Sequence, residues 1–299
     1  MTAPRSAAGG TGTVSNWQNA FVRRLPLRIA VIGIALLWSL PTLGLLVSSI
    51  RPPLQITQNG WWTVIFNPAA WSQFTLSNYE QILSSEGFAG GFFNSLIVTV
   101  PSTLIPITVA AFAAYAFAWV KFPLRRTLFI LVVGLLVVPL QMSLIPVLQM
   151  YSTIGINGTF LGVWLAHTGF GLPLAIFLLY NFMSQLPGDL FETASIDGAT
   201  HFQMFTKVVL PLSVPALAAF AIFQFLWVWN DLLVALVFLG ASQDVSVLTF
   251  RLYQLVGVRG ESWHLLTAGA FLTMVVPVIV FLALQRYFVR GLLSGSVKG

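Results

Sequence analysis

Apolar residues along this chain fall in long, nearly unbroken runs rather than in the one-sided pattern of a helix with a wet face. Six such runs occupy about residues 27–50, 93–120, 128–150, 160–183, 212–239 and 265–288. Each is long enough to cross a hydrocarbon layer, which takes roughly 20 helical residues for about 30 Å. A lone segment in lipid must satisfy its backbone internally, so each run is expected to be a helix. The pattern predicts an all-α polytopic membrane protein with six transmembrane helices. An even number of crossings returns both termini to one side.

Polar positions define the remainder. Residues 1–20 are rich in Ala, Gly, Ser and Thr and contain no apolar run, which predicts a disordered tail ahead of a single domain at 21–299. The first run follows Arg23, Arg24 and Arg28 and is too long for the apolar core of a signal peptide, so it is expected to be a retained anchor. With the N-terminus inside, the inner segments hold Arg5, Arg23, Arg24, Arg28, Lys121, Arg125, Arg126, Lys207, Arg286, Arg290 and Lys298. Only Arg51, Arg251 and Arg259 then lie outside, as the positive-inside bias requires. Both termini are therefore expected in the cytoplasm. The outer segment 51–91 carries Trp61, Trp62, Phe66 and Trp71, suited to a headgroup boundary or a partner's face. Within it, Ser77 and Glu80 have capping-box spacing and predict a short helix to about Ser84.

Composition agrees with this layout: 57% of residues are apolar, 7% are charged, and the mean hydropathy is +0.88. The basic balance of +6 would suggest nucleic acid in a soluble protein. Here the cations flank apolar runs, where they set topology and meet anionic lipid, and no nucleic-acid partner is expected. The absence of cysteine excludes disulfides and thiolate chemistry.

The inner loop 185–211 is unusual, with one Lys against Asp189, Glu192 and Asp197. Its punctuation predicts two short helices. Pro187 and Asp189 suit a helix start, Gly198 can take a left-handed turn, and Thr200 can cap the second helix. That second helix would carry Phe202, Phe205 and Val209 on one stripe facing cytoplasm, which something must cover. Periodicity alone allows a knob docked in a partner's groove or a helix pair lying on the membrane.

The run Glu192-Thr193-Ala194, then Gly198, then Val208-Val209-Leu210-Pro211 resembles the EAA loop of ABC-importer permeases, with Thr193 and Val208 as mild departures. Residues 74–79, Asn94-Ser95, Trp229-Asn230-Asp231 and the tail 285–299 are similar to carbohydrate-type permeases, the G-type maltose and α-glucoside permeases above all. The resemblance spans about residues 20–299. It implies a coupling helix seated on an ATPase, with Glu192, Thr193, Ala194, Asp197, Gly198, Phe202, Leu210 and Pro211 in the contact. Glu192 would meet a basic group there and Gly198 would make the turn. It also implies that Ser294, Gly295, Ser296, Val297, Lys298 and Gly299 reach the ATPase dimer. The implied partners are a second, homologous permease, two ABC ATPase subunits that bind ATP and Mg, an extracytoplasmic sugar-binding protein and the bilayer. The implied substrate is maltose, trehalose or a related α-glucoside.

Other chemistry finds little support. The chain has no Gly-Lys dipeptide and hence no Walker-type phosphate loop, so any ATPase must be a separate polypeptide. His167, His201 and His264 lack the i+3 or i+4 spacing of metal ligands, and no nucleophile elbow or intramembrane carboxylate pair exists. Gln141, Gln224, Asn230 and Asp231 are candidates to line a pore, although Gln141, Gln224 and Asn230 could equally join helices, and the fifth run could end near Asn230 and leave Asp231 in water. Pro139, Pro146, Pro173 and Pro277 are expected to break helical backbone within spans. Rival readings are a permease for another solute such as glycerol phosphate, which would call for basic pore residues, and a membrane-embedded enzyme or structural protein without a coupling loop's purpose.

Overall fold

A computed structural model describes the backbone of residues 13–84, 87–256 and 262–296, with side chains described at 24–84, 87–256 and 262–286. Every regular element among them is helical. Four helices are long and apolar enough to cross a membrane alone: Arg24–Ser49 within helix α1 (Thr13–Ser49), Phe88–Trp119, Phe160–Met183 and Trp263–Arg286. Two further spans are bent pairs, Arg125–Val137 with Leu140–Thr153 at 104°, and His201–Leu212 with Val214–Trp229 at 71°. The expected six crossings are reached when each bent pair is taken as one span beside the four single helices.

In chain order the further helices are α2 (Ser77–Ser84), α3 (Phe88–Trp119), α4 (Arg125–Gly134), α5 (Leu140–Thr153), α6 (Phe160–Met183), α7 (Gly188–Ile196), α8 (His201–Met204), α9 (Val214–Trp229), α10 (Leu233–Phe238), α11 (Leu248–Val256) and α12 (Trp263–Ser296). Helix α1 starts at Thr13, so residues 13–20, expected to be disordered, are helical, while 1–12 lie outside the described residues. The correction has a simple cause: Trp17, Gln18, Asn19, Ala20 and Phe21 contain no Gly or Pro, and they prolong a helix already nucleated by the apolar run.

The third span breaks where the sequence demands it. Proline restricts the preceding residue to extended backbone, and Val138 and Pro139 have ψ of 117° and 127°. Pro146, Pro173 and Pro277, expected to break their helices, lie instead inside continuous ones. At Pro277 the freed carbonyl, that of Thr273, accepts from Trp229 Nε1 at 3.1 Å.

Helices α3 and α6 pack closely, and Ala110, Ala111, Ala114 and Ala175 are buried in the cluster between them. Small residues let backbones approach where lipid offers no hydrophobic drive to associate. At the opposite end, α3 is pinned to the connection before α11. Asn94 Nδ2 donates to the carbonyls of Asp244 (2.9 Å) and Ser246 (3.2 Å), and Leu248 N donates to Ser95 Oγ (2.8 Å). Helix α2 spans Ser77–Ser84 as the sequence predicts. The hydroxyl at its start is that of Thr75, which accepts from Ser77 N at 3.1 Å, rather than that of Ser77. Arg51 is buried under the same segment, and its guanidinium donates to the carbonyls of Asn59 (3.3 Å) and Gln55 (3.1 Å).

Candidate functional site

The loop between α6 and α9 is two helices joined at a glycine. Pro187 precedes α7, Asp189 lies in its first turn, and Gly198 has φ +75°. Thr200 then caps α8: its Oγ1 accepts from Gln203 N at 3.3 Å, and Gln203 Oε1 accepts from Thr200 N at 2.9 Å. The reciprocal pair is a capping box, of which the sequence pattern indicated Thr200 alone.

The loop is seated on its own chain through aromatic contacts. Phe191 stacks on Trp119 with ring centroids 3.5 Å apart and planes 17° apart, and Trp119 Nε1 donates to the Met183 carbonyl at 2.9 Å. Tyr115 Oη lies 3.1 Å from His201 Nδ1, and Phe205 packs on Phe112 and Tyr115 with centroids at 4.6 and 5.3 Å. The stripe of Phe202, Phe205 and Val209 is therefore split. Phe205 and Val209 are buried against this chain, while Phe202 is 65% exposed. Residues 205–209 form a π turn, which shifts the register of the stripe. Pro211 explains the turn, since its ring would clash with a normally placed carbonyl four residues back.

The outward face of the loop is a mixed surface. Ile196 is 86% exposed, and Leu190, Phe202, Glu192, Thr193, Asp197, Gly198 and Pro211 are exposed as well. Ala194 and Leu210 are half-buried and pack inward on the aromatic seat. Among the described residues, no basic side chain lies within salt-bridge distance of Asp189, Glu192 or Asp197. Ser294, Gly295 and Ser296 form the end of α12, and Val297, Lys298 and Gly299 lie outside the described residues.

The pore candidates separate in the fold. Gln224 does not face a lumen: it is fully buried, and its Nε2 donates to the Ser102 carbonyl at 3.1 Å and the His167 carbonyl at 3.5 Å. It joins α3, α6 and α9 beside Gly171, where a Cβ would come 2.6 Å from Gln224 Oε1. Asn230 is exposed and its Nδ2 donates to the Leu226 carbonyl at 2.7 Å, closing the end of α9. Asp231 lies neither on a span nor free in water. The run expected to reach residue 239 ends at Trp229, and the Asp231 carboxylate accepts from the amides of Val234 (3.3 Å) and Ala235 (2.9 Å) at the start of α10. An acid at a helix start complements its positive end. Its Oδ2 lies 3.8 Å from Nε2 of the wholly buried His167, a neighbour that no sequence pattern indicated. Gln141 is exposed on the first turn of α5.

Around this seam, Thr99 Oγ1, Ser102 Oγ, both His167 ring nitrogens, Thr168 Oγ1 and Gln224 Oε1 are buried without a hydrogen-bond partner among the described residues. Such groups are costly to leave unsatisfied in an apolar interior. Among the described residues no three or more His, Cys, Asp or Glu are placed to hold a metal.

Comparison with known proteins adds to this geometry. A family model described as a binding-protein-dependent transport system inner membrane component matches residues 91–294. The osmoprotective compounds uptake permease protein GgtD of Synechocystis sp. is 58% identical over 95% of this chain and 95% of its own length. The alpha-glucoside transport system permease protein AglG of Rhizobium meliloti is 46% identical over 93% of this chain and 99% of its own. In structure, the fold is similar to a chain of a bacterial ABC transporter involved in import of the acidic polysaccharide alginate. That match has a TM-score of 0.74 and 20% identity, and it covers 94% of this chain and 100% of that one.

Proposed function

The chain belongs to the family of binding-protein-dependent transport-system inner-membrane components, and from that premise we propose that it is a permease subunit of an ATP-driven importer for maltose, trehalose or a related α-glucoside. It hydrolyses nothing itself. The ATP and Mg belong to two partner ATPases, a second permease completes the pathway, and a binding protein delivers sugar from outside. Both termini lie in the cytoplasm, and the residues proposed to contact the ATPases at the tail are Ser294 to Gly299.

The observation that carries the reading is the aromatic seat under an otherwise bare loop. Glu192, Ile196 and Phe202 project outward, while Phe191, His201 and Phe205 are held by Trp119, Tyr115 and Phe112 of α3. A partner moving α7 therefore moves α3, because packed aromatics transmit displacement instead of absorbing it. The second helix of the loop also runs to Leu212 before the 71° bend into α9, so the same pull reaches the fifth span. ATP-driven closure of the partners would turn these levers and open the path outward, and hydrolysis would reset it. The α-glucoside preference is supported by the likeness to AglG.

The test is purification in mild detergent with bound partners, followed by ATPase and uptake assays with labelled maltose and trehalose. Glu192→Lys and Gly198→Pro are expected to release or uncouple the ATPase while the chain stays folded; a folded chain with no ATPase partner refutes the proposal. A second reading, an importer of an osmoprotective solute, is favoured by the likeness to GgtD. Competition of uptake by maltose, against competition by an osmoprotective solute that is not an α-glucoside, separates the two.

A further inference from the structure

We propose that this subunit touches the transported sugar itself, through a cavity at the break of the third span in which one pyranose ring stacks on Trp227. The inference rests on the sugar-import reading above.

The cavity measures about 220 Å³ and is lined by Leu135, Leu136, Val138 and Leu140 at the break, Ser143 on α5, Gly169, Phe170 and Pro173 on α6, and Trp227 on α9. Sites for drug-sized ligands run to about 300–1,000 Å³, so this one suits a single ring rather than a disaccharide. A span interrupted within the membrane is itself a pointer to a binding site, because irregular backbone at that depth is tolerated only against protein or a cavity.

Three features of the walls favour a sugar. Trp227 is half-buried, and the negative face of an indole suits the C–H groups of a pyranose. The Ser143 hydroxyl has only a 3.4 Å contact to the Pro139 carbonyl, too long for a good O–H···O bond, and is available to a ligand. The break also leaves irregular backbone at Val138 and Pro139 beside the lining residues Leu136 and Leu140, where the chain is not folded into a continuous helix. Gly169 supports the same conclusion. A Cβ there would meet nothing within 4 Å, so helix packing does not require glycine, and its effect is to keep the cavity open.

Trp227 is also held from behind. His167 meets its ring edge-on at 5.4 Å and 89°, and His167 is in turn 3.8 Å from Asp231, whose carboxylate two backbone amides fix. His167 and Asp231 are thereby positioning residues. They set the indole's angle without facing the cavity.

The chain has no cysteine, so Gly169→Cys places the single thiol of this subunit in the cavity. In the assembled transporter, conversion of that thiol to a mixed disulfide by a small methanethiosulfonate, with methanesulfinate leaving, is followed on this chain with increasing maltose or trehalose. Protection is expected, with labelling slowed about tenfold at a sugar concentration ten times its dissociation constant. Trp227→Ala in the same background is expected to raise the protecting concentration about tenfold, as loss of one aromatic contact implies, and Trp227→Phe by less. Should Gly169→Cys not assemble, Ser143→Cys on the facing wall reports the same occupancy. The proposal is overturned if labelling ignores a sugar that the wild-type transporter imports, or if Trp227→Ala leaves the protecting concentration unchanged. A wild type that imports none of these sugars fails at the uptake step, and this inference then falls with the reading beneath it.

Discussion

Replacing Gly198 tests the coupling loop by backbone geometry alone. The residue has φ +75°, and a Cβ built on it meets nothing within 4 Å. Alanine there adds no clash and costs only the left-handed conformation, about 1–2 kcal/mol for an L-residue. Asparagine visits that region more readily, whereas a β-branched residue is a true outlier in it. Proline, with φ locked near −65°, cannot make the turn at all. The strain is relieved only if the turn between α7 and α8 opens, so it opposes any partner that needs the turn closed. A cost of about 1–2 kcal/mol corresponds to a factor of about 5–30 in that equilibrium. Titrating purified ATPase subunit against the solubilised permease pair reads this directly as half-saturation. The expected order of affinity is glycine, asparagine, alanine, valine, then proline, with alanine weaker than glycine by up to that factor. Thermal stability of the permease should fall by no more than that backbone cost, since the exposed side chain adds no clash. Equal affinity for glycine and valine would refute the argument that the left-handed turn presents the docking surface.

Three further outcomes are expected from the packing. Phe191→Ala removes the ring stacked 3.5 Å from Trp119 and should cost about 3–5 kcal/mol of local stability; hydrogen exchange is expected to rise across 188–196 while α6 keeps its protection. Gly171→Ala should destabilise by about 1–3 kcal/mol because its Cβ would press on Gln224 Oε1 at 2.6 Å. Gln224→Ala in the same chain should recover much of that loss, a coupling of at least about 0.5 kcal/mol read from melting temperatures in detergent, and additivity would contradict the contact. Arg51→Lys loses the fork that reaches the Gln55 and Asn59 carbonyls, and an ammonium does not reproduce it; limited proteolysis within residues 52–75 should speed up, and an unchanged rate would count against this anchoring role.

Local chemistry was legible in the sequence wherever a few adjacent residues decide the outcome. Pro187, Gly198 and Thr200 specify a helix start, a left-handed turn and a cap through their own backbones and side chains, and all three act so in the structure. The helical nature of the apolar runs was legible because lipid leaves a lone apolar segment no choice but helix. What covers the stripe was not legible, since Phe205 packs on Phe112 and Tyr115, about ninety residues earlier in the chain, and Val209 is buried in the same cluster. The seam escaped for the same reason. Gln224, His167 and Asp231 belong to different elements, and nothing in their spacing brings an imidazole to within 3.8 Å of a carboxylate.

The sequence by itself therefore determined the membrane class, the helical form of the apolar runs, the absence of a phosphate loop and the two-helix form of the inner loop. These rest on composition, hydropathy and turn chemistry, which act over a few residues or over whole segments. Only the tertiary structure decided which apolar residues of the loop remain bare, that Gln224 joins three helices, and that Asp231 caps α10 beside His167. It also decided that the break at Pro139 opens a cavity against Trp227. Those outcomes depend on which helix faces which, and that is set by packing between segments far apart in the chain, where a one-dimensional pattern carries no distance.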